Sequence, residues 1–128
     1  MQSNQHIVIV DDDESIREAA TNLFRSMGLL AVAFASAEDY LASDVVEHTS
    51  CLVLDVQMPG MSGLALQQRL AEDGRHIPIV FVTAYSGDVV RNTAMESGAI
   101  SFLTKPFKEE DLLDGLRSAL ASGEVGES

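Results

Sequence analysis

The feature that most constrains the fold is a series of short, mainly apolar runs, each followed by a segment with helical spacing. Continuous apolar runs indicate strands that are buried on both faces, because a strand with one wet face alternates polar and apolar residues. Strands that alternate with helices over short connections form parallel sheets with right-handed crossovers. The sequence therefore predicts an α/β fold with helices on both faces of one parallel sheet. The predicted strands are 6–10, 29–34, 51–54, 77–82 and 100–104.

Between these strands the chain carries the spacing and caps of helices. Apolar residues recur at helical spacing after Ser15, Ser36 resembles a capping residue, and Ser62 can cap a helix that begins near Leu64. Residues 45–50 are interpreted as a polar connection. Residues 121–128 lack an apolar stripe, so the domain is assigned to 1–121 and 122–128 to a tail or the start of a linker. The predicted helices are 15–27, 36–41, 64–72, 88–97 and 109–120.

Composition limits the function classes that fit. Twenty acidic residues against eight basic ones give a net charge of −12, and such a surface repels nucleic-acid phosphates. We therefore expect no direct nucleic-acid binding by this segment. No apolar run approaches the roughly 18 residues that a membrane helix needs, and no membrane association is expected. Cys51 is the single cysteine, which fits a reducing compartment, and a cytoplasmic location is predicted.

Polar side chains follow four of the predicted strands at the point where each strand ends. Asp11 and Asp12 follow the first strand, Asp55 the third, Thr83 the fourth and Lys105 the fifth. Each alone is most simply a turn former, a helix cap or a surface residue. Parallel strands, however, end at one edge of the sheet, where open α/β folds bind ligands. Three carboxylates at one edge repel each other, and Mg²⁺ with Lys105 is the natural compensation.

Four motifs at these strand ends carry a resemblance to a known family. They are Ile-Val-Asp-Asp at 9–12, the segment from Leu54 to Gly63, Val-Thr-Ala at 82–84 and Lys-Pro-Phe at 105–107. Over residues 5–120 the chain resembles the receiver domain of two-component response regulators, of the FixJ type. The resemblance implies a single doubly wound (βα)5 flavodoxin-like sheet with strand order 2-1-3-4-5. It also implies a phosphorylation-dependent signalling switch and not an enzyme.

The resemblance assigns the phosphoryl group and the metal ion to particular residues. Asp55 would be the phosphoacceptor. Asp12 would bind Mg²⁺ directly, Asp11 largely through a water, and Asp55 and the backbone carbonyl of Gln57 would complete the protein ligands. Gln57 and Tyr85 fall at positions that in this family tune the lifetime of the phosphoryl bond.

The resemblance also assigns the response to phosphorylation. Thr83, Lys105 and the backbone amide of Ala84 would contact the phosphoryl oxygens, and the Lys105–Pro106 peptide bond would be cis. If Thr83 moved towards the phosphoryl group, it would leave space for Phe102, which falls at the aromatic switch position of the family. Phe102 lacks the hydroxyl group of a tyrosine, so the switch would act by packing alone.

The implied partners are a sensor histidine kinase and an output domain or second receiver. The output is expected to be transcriptional regulation through an attached or separate DNA-binding domain, and phosphorylation could produce a homodimer through the fourth helix, fifth strand and fifth helix.

Three other functions are open to the sequence. Asp11 and Asp13 fit the D-x-D pattern of haloacid-dehalogenase-like phosphohydrolases, but the chain is short for that core and a cap. A flavodoxin-like FMN module would need its phosphate beside the acids that follow the first strand, where repulsion opposes it. A receiver that only docks and is never phosphorylated would not need the full set of site residues.

Overall fold

A computed structural model describes residues 6–84 and 87–126. The strands are His6–Val10 (β1), Ala31–Phe34 (β2), Thr49–Leu54 (β3), Ile79–Thr83 (β4) and Ser101–Thr104 (β5). The helices are Glu14–Ser26 (α1), Ala37–Leu41 (α2), Gly63–Glu72 (α3), Asp88–Glu96 (α4) and Glu109–Gly126 (α5), with a 3-10 helix at Asp44–His48. All strand pairs are parallel, in the order β2-β1-β3-β4-β5, which confirms the predicted fold class and strand order.

The sheet has a hydrophobic core on each face because successive strand residues point to opposite sides. In β1, Val8 and Val10 belong to the core that contains Tyr40 of α2 and Leu66 of α3. The intervening residues Ile7 and Ile9 belong to the opposite core. There they join Phe24 of α1 and two leucines of α5, Leu112 and Leu116. The central strands are therefore buried on both faces, as their continuous apolar runs predicted.

The structure corrects one predicted connection and one predicted helix end. Asp44–His48 is a 3-10 helix that buries Val46, and β3 begins at Thr49, so the polar connection predicted at 45–50 is wrong. The reason is that Val46 can reach the core from a tight helical turn. The last helix continues to Gly126, beyond the predicted end at 120. The assignment of 122–128 to a linker stays a prediction. Among residues 6–84 and 87–126, no helix combines the length and the apolar character needed to cross a membrane.

Candidate functional site

The two central strands bring two carboxylates side by side at the carboxyl edge of the sheet. Val10 and Leu54 are register partners, and the Asp55 amide donates to the Val10 carbonyl at 3.0 Å. Asp11 and Asp55 therefore leave the sheet at the same level. Asp11 is fully buried and Asp55 is 5% exposed, and acidic residues are rarely buried to this extent unless they are paired.

Asp12 completes an acidic cluster with these two residues. One carboxylate oxygen from each of Asp11, Asp12 and Asp55 lies within 4.8 Å of the others, and Asp12 is the exposed member. Asp13 lies outside this cluster and caps α1, with its Oδ1 accepting from the Ser15 amide at 2.9 Å. The sequence alone could not tell which acids of the run 11–14 face the site, because that depends on where α1 begins.

Lys105 is the cation that reaches the buried carboxylates. Its Nζ lies 2.9 Å from Asp11 Oδ2 and 3.5 Å from Asp55 Oδ2. The Lys105 amide donates to the Thr83 carbonyl at 2.7 Å, which fixes the lysine backbone to the end of β4. The Lys105–Pro106 peptide bond is cis, as the resemblance implied. The structure thus brings together residues that are 94 positions apart in the sequence, from Asp11 to Lys105.

The ionisation of the site reflects burial and crowding of like charges. Burial raises the pKa of Asp55, the neighbouring Asp11 raises it further, and Lys105 and the Gln57 amide only partly oppose them, so that it lies at about 6. Burial lowers the pKa of Lys105, but its contacts with Asp11 and Asp55 outweigh this effect and hold it above the ordinary value. Three carboxylates facing one lysine leave the site with an excess of negative charge.

These groups fit a hard divalent cation. The Asp11 Oδ1 accepts from the Asp13 amide at 2.9 Å, and Oδ2 pairs with the Lys105 ammonium at 2.9 Å. An ionised carboxylate has about four acceptor sites on its two oxygens, so these groups keep acceptor capacity beyond the contacts they already make. Mg²⁺ prefers one or two carboxylates together with waters and phosphate oxygens, and Asp12 leaves the cluster open to solvent.

The loop after Asp55 packs closely against the phosphoacceptor candidate. The Gln57 amide donates to Asp55 Oδ1 at 3.3 Å, and the Gly63 amide donates to the Val56 carbonyl at 2.8 Å. A Cβ atom on Gly63 would lie 2.1 Å from the Asp55 carbonyl oxygen. The start of α3 can therefore approach the end of β3 only because residue 63 has no side chain. Ser62 caps this helix by accepting from the Ala65 amide at 3.1 Å, as predicted.

Thr83 and Phe102 lie on neighbouring strands near the same edge. Thr83 is the last residue of β4 and is 1% exposed, and Ala84 beyond it is exposed. Phe102 is buried and turned inward, with its ring centroid 6.1 Å from that of Phe81. The Arg91 guanidinium of α4 lies 5.7 Å from the Phe102 ring centroid, a cation–π contact that no sequence motif indicated.

Two charged residues that the sequence analysis missed support the site from neighbouring helices. Arg17 of α1 donates to the Asp11 carbonyl at 2.9 Å, and Glu38 of α2 accepts from the Met61 amide at 2.8 Å. Neither belongs to a motif, and only their contacts reveal them. The prediction made for Tyr85 concerns a position outside the described residues.

Comparison with known proteins identifies the family. Residues 7–117 match the response regulator receiver domain, so the chain belongs to that family. Receiver domains act as phosphorylation switches in signalling, and several matched relatives are named response regulators or transcriptional regulatory proteins. Membership of this family explains the acidic cluster, so neither a phosphohydrolase nor a flavin-binding module is needed to explain it.

Individual relatives support the FixJ-like character. Nodulation protein W of Bradyrhizobium diazoefficiens is 49% identical over 113 residues, which cover 88% of this chain and 50% of that protein. The transcriptional regulatory protein FixJ of Azorhizobium caulinodans is 34% identical over 127 residues, covering 98% of this chain and 60% of that protein. The crystal structure of FixJ-N superposes with a TM-score of 0.81 at 30% identity, covering 91% of this chain and 94% of that one. The chain thus spans about half the length of Nodulation protein W.

Proposed function

We propose that Asp55 accepts a phosphoryl group from the phosphohistidine of a sensor histidine kinase. The observation that carries this proposal is the buried Asp55 carboxylate, placed beside Asp11 and within 3.5 Å of the Lys105 ammonium. Asp12 and Asp55 are the proposed direct side-chain ligands of Mg²⁺, Asp11 would act largely through a water, and the Gln57 backbone carbonyl would complete the protein ligands. When bound, the ion would neutralise charge on the phosphoryl oxygens.

The residues of this chain supply the nucleophile and the charge compensation. An Asp55 oxygen attacks phosphorus while the bond from phosphorus to the histidine nitrogen breaks, and the nitrogen keeps the electron pair and takes a proton. With a pKa of about 6, the Asp55 carboxyl is mostly ionised at neutral pH, so the attack needs no general base. Lys105, the Thr83 hydroxyl and the Ala84 amide would bind phosphoryl oxygens as charge develops on them.

The proposed response to phosphorylation runs through Thr83 and Phe102. Attraction of Thr83 to the new phosphoryl oxygens would change the packing beside Phe102, which is turned inward in this structure. Because α4 contacts that ring through Arg91, the surface formed by α4, β5 and α5 would change. We propose that a phosphorylation-dependent homodimer forms through this surface, to which the exposed Val89 of α4 offers an apolar side chain.

The proposed output is transcriptional regulation. The matched FixJ is named a transcriptional regulatory protein, and this chain covers 60% of it. We propose that an attached or separate DNA-binding domain reads the change in the α4–β5–α5 surface. The net charge of −12 supports an output that lies outside this segment, because the segment itself repels nucleic acid.

Intact mass spectrometry tests the proposal. The protein is incubated with acetyl phosphate, with Mg²⁺ or with a chelator. We expect one phosphoryl group on the native chain with Mg²⁺, much less with the chelator, and none on Asp55→Asn. Asp13→Asn is the matched control, because Asp13 caps α1 outside the acidic cluster and asparagine caps equally well. A native chain that gains no phosphoryl group, or an Asp55→Asn variant that gains one normally, would contradict the proposal.

A further inference from the structure

The loop between β3 and α3 contacts α2 through one carboxylate. The Met61 amide donates to Glu38 Oε2 at 2.8 Å, across 23 residues of sequence. Gly60 lies directly under the same oxygen: a Cβ atom there would be 2.6 Å from Oε2, and its φ is +78°. Residue 60 therefore needs both the left-handed conformation and the absence of a side chain for Met61 to reach Glu38.

Glu38 stands on a firmly packed helix. Ser36 caps α2 by accepting from the Asp39 amide at 3.1 Å. Tyr40 is fully buried, and its hydroxyl lies 2.8 Å from Thr49 Oγ1 at the start of β3. Although α2 has only five residues, its first turn is thus capped and its last turn is fixed to β3. The helix α2 therefore holds the Glu38 carboxylate next to the loop between β3 and α3.

The tip of the loop has little other polar support. Its two ends are fixed by the contact of Gln57 with Asp55 and by the contact of Gly63 with Val56. Among the hydrogen bonds of residues 6–84 and 87–126, that of Met61 to Glu38 alone joins positions 58–61 to a side chain of another element. The Gln57 carbonyl, a ligand in the proposed function, belongs to this same short loop.

We infer that Glu38 is a positioning residue for phosphoryl transfer. By accepting the Met61 hydrogen bond it holds the loop tip against α2, and through the loop it fixes the orientation of the Gln57 carbonyl towards the acidic cluster. This inference rests on the proposed function. Glu38 does not touch the reacting atoms, so its effect is on the binding of Mg²⁺ and not on the rate at saturation.

Three variants separate the hydrogen bond from the charge. Glu38→Ala removes the acceptor, and Glu38→Gln keeps a carbonyl oxygen in the same place. Asp39→Asn removes an equal charge from the neighbouring exposed position and is the matched control. Because Glu38 is exposed, water replaces it in Glu38→Ala, and we expect the thermal midpoint of unfolding to change little.

The first measurement is amide hydrogen exchange by NMR in the metal-free protein. Glu38→Ala should speed the exchange of the Met61 amide by about three- to tenfold, the size expected for the loss of one ordinary hydrogen bond. Glu38→Gln and Asp39→Asn should exchange like the native chain. Unchanged exchange in Glu38→Ala would overturn the inference.

The second measurement is the Mg²⁺ concentration that gives half-maximal phosphorylation by acetyl phosphate. Glu38→Ala should raise it by about three- to tenfold and leave the saturated rate near the native value, and Glu38→Gln should restore it. If the native chain is phosphorylated and Glu38→Ala leaves the Mg²⁺ dependence unchanged, this inference is overturned and the proposed function is not. An equal shift in Asp39→Asn also overturns it, because charge would then be the cause. A native chain that takes no phosphoryl group overturns the proposed function, and the inference with it.

Discussion

The substitution Asp55→Asn should stabilise the metal-free protein at neutral pH. The folded state raises the pKa of Asp55 from 3.8 to about 6, because burial and the nearby Asp11 disfavour the charged form. The folded state therefore binds this proton more tightly than the unfolded state does. The free energy of unfolding consequently falls as the pH rises from about 4 to about 6, and stays lower above that range. Asparagine carries no such penalty at any pH.

The size of the effect follows from the difference in pKa. About two pKa units, at 1.36 kcal/mol each, correspond to roughly 3 kcal/mol at about pH 7.5. This difference already includes the attraction of Lys105, which lowers the pKa of Asp55. Asparagine is an imperfect copy of a protonated carboxyl, so we expect a gain of about 1–3 kcal/mol and a rise in the melting temperature of roughly 3–10 °C.

Urea unfolding followed by circular dichroism, with a chelator present, measures this gain. At about pH 5 the gain should fall to roughly half, since Asp55 is then mostly protonated in the folded native chain. This pH also stays above the isoelectric point of about 4.3. Asp13→Asn serves as the control and should change the free energy of unfolding by less than about 0.5 kcal/mol. An Asp55→Asn variant no more stable than the native chain at neutral pH, or a gain independent of pH, would refute the reasoning.

Three further substitutions test the surroundings of the site by the same unfolding assay. Lys105→Met should destabilise the metal-free protein by about 1–3 kcal/mol at neutral pH and by less at about pH 5, because Asp11 and Asp55 lose their cation; a loss that does not depend on pH would argue against this. Gly63→Ala should cost about 3 kcal/mol or more, because its Cβ would lie 2.1 Å from the Asp55 carbonyl oxygen. The control Gly74→Ala has no atom within 4 Å and should cost only about 1–2 kcal/mol for its φ of +78°; equal costs would contradict the close contact. Gln67→Ala should cost about 1–2 kcal/mol and speed amide exchange in α4, because buried Gln67 donates to the Ala94 carbonyl at 3.1 Å. Exposed Gln68→Ala should be neutral within about 0.5 kcal/mol, and similar losses for the two would contradict a specific role for Gln67.

The sheet could be predicted because its signal is local and repeated. Continuous runs such as Val8–Val10 and Leu52–Leu54 are buried on both faces, and short connections leave few arrangements other than a parallel sheet. The predicted bounds of helices and strands were less accurate where the burial of a single side chain determines them. Val46 is buried from a 3-10 turn that the polar sequence around it did not indicate. The end of α5 was missed because composition alone does not stop a helix.

The site residues that lie directly at strand ends could be predicted from the sequence. Asp11, Asp55 and Lys105 converge because β1, β3 and β5 end at one edge of the sheet. The supports of the site could not be predicted, because they depend on how helices pack over the sheet. Glu38 reaches Met61, and Arg91 reaches Phe102, only through the placement of α2 and α4. Neither contact has a spacing or a residue type that distinguishes it in the sequence.

The most direct test of the central claim is to locate the phosphoryl group. The protein is phosphorylated with acetyl phosphate and Mg²⁺ and treated with borohydride, which reduces an acyl phosphate to an alcohol, and the peptides are sequenced by mass spectrometry. Phosphoryl transfer to Asp55 predicts that the reduced residue lies at position 55 and that Asp11 and Asp12 are unchanged. Reduction at Asp11 or Asp12 would contradict the claim that Asp55 accepts the phosphoryl group. So would the absence of any reduced residue after incubation with phosphodonor and Mg²⁺.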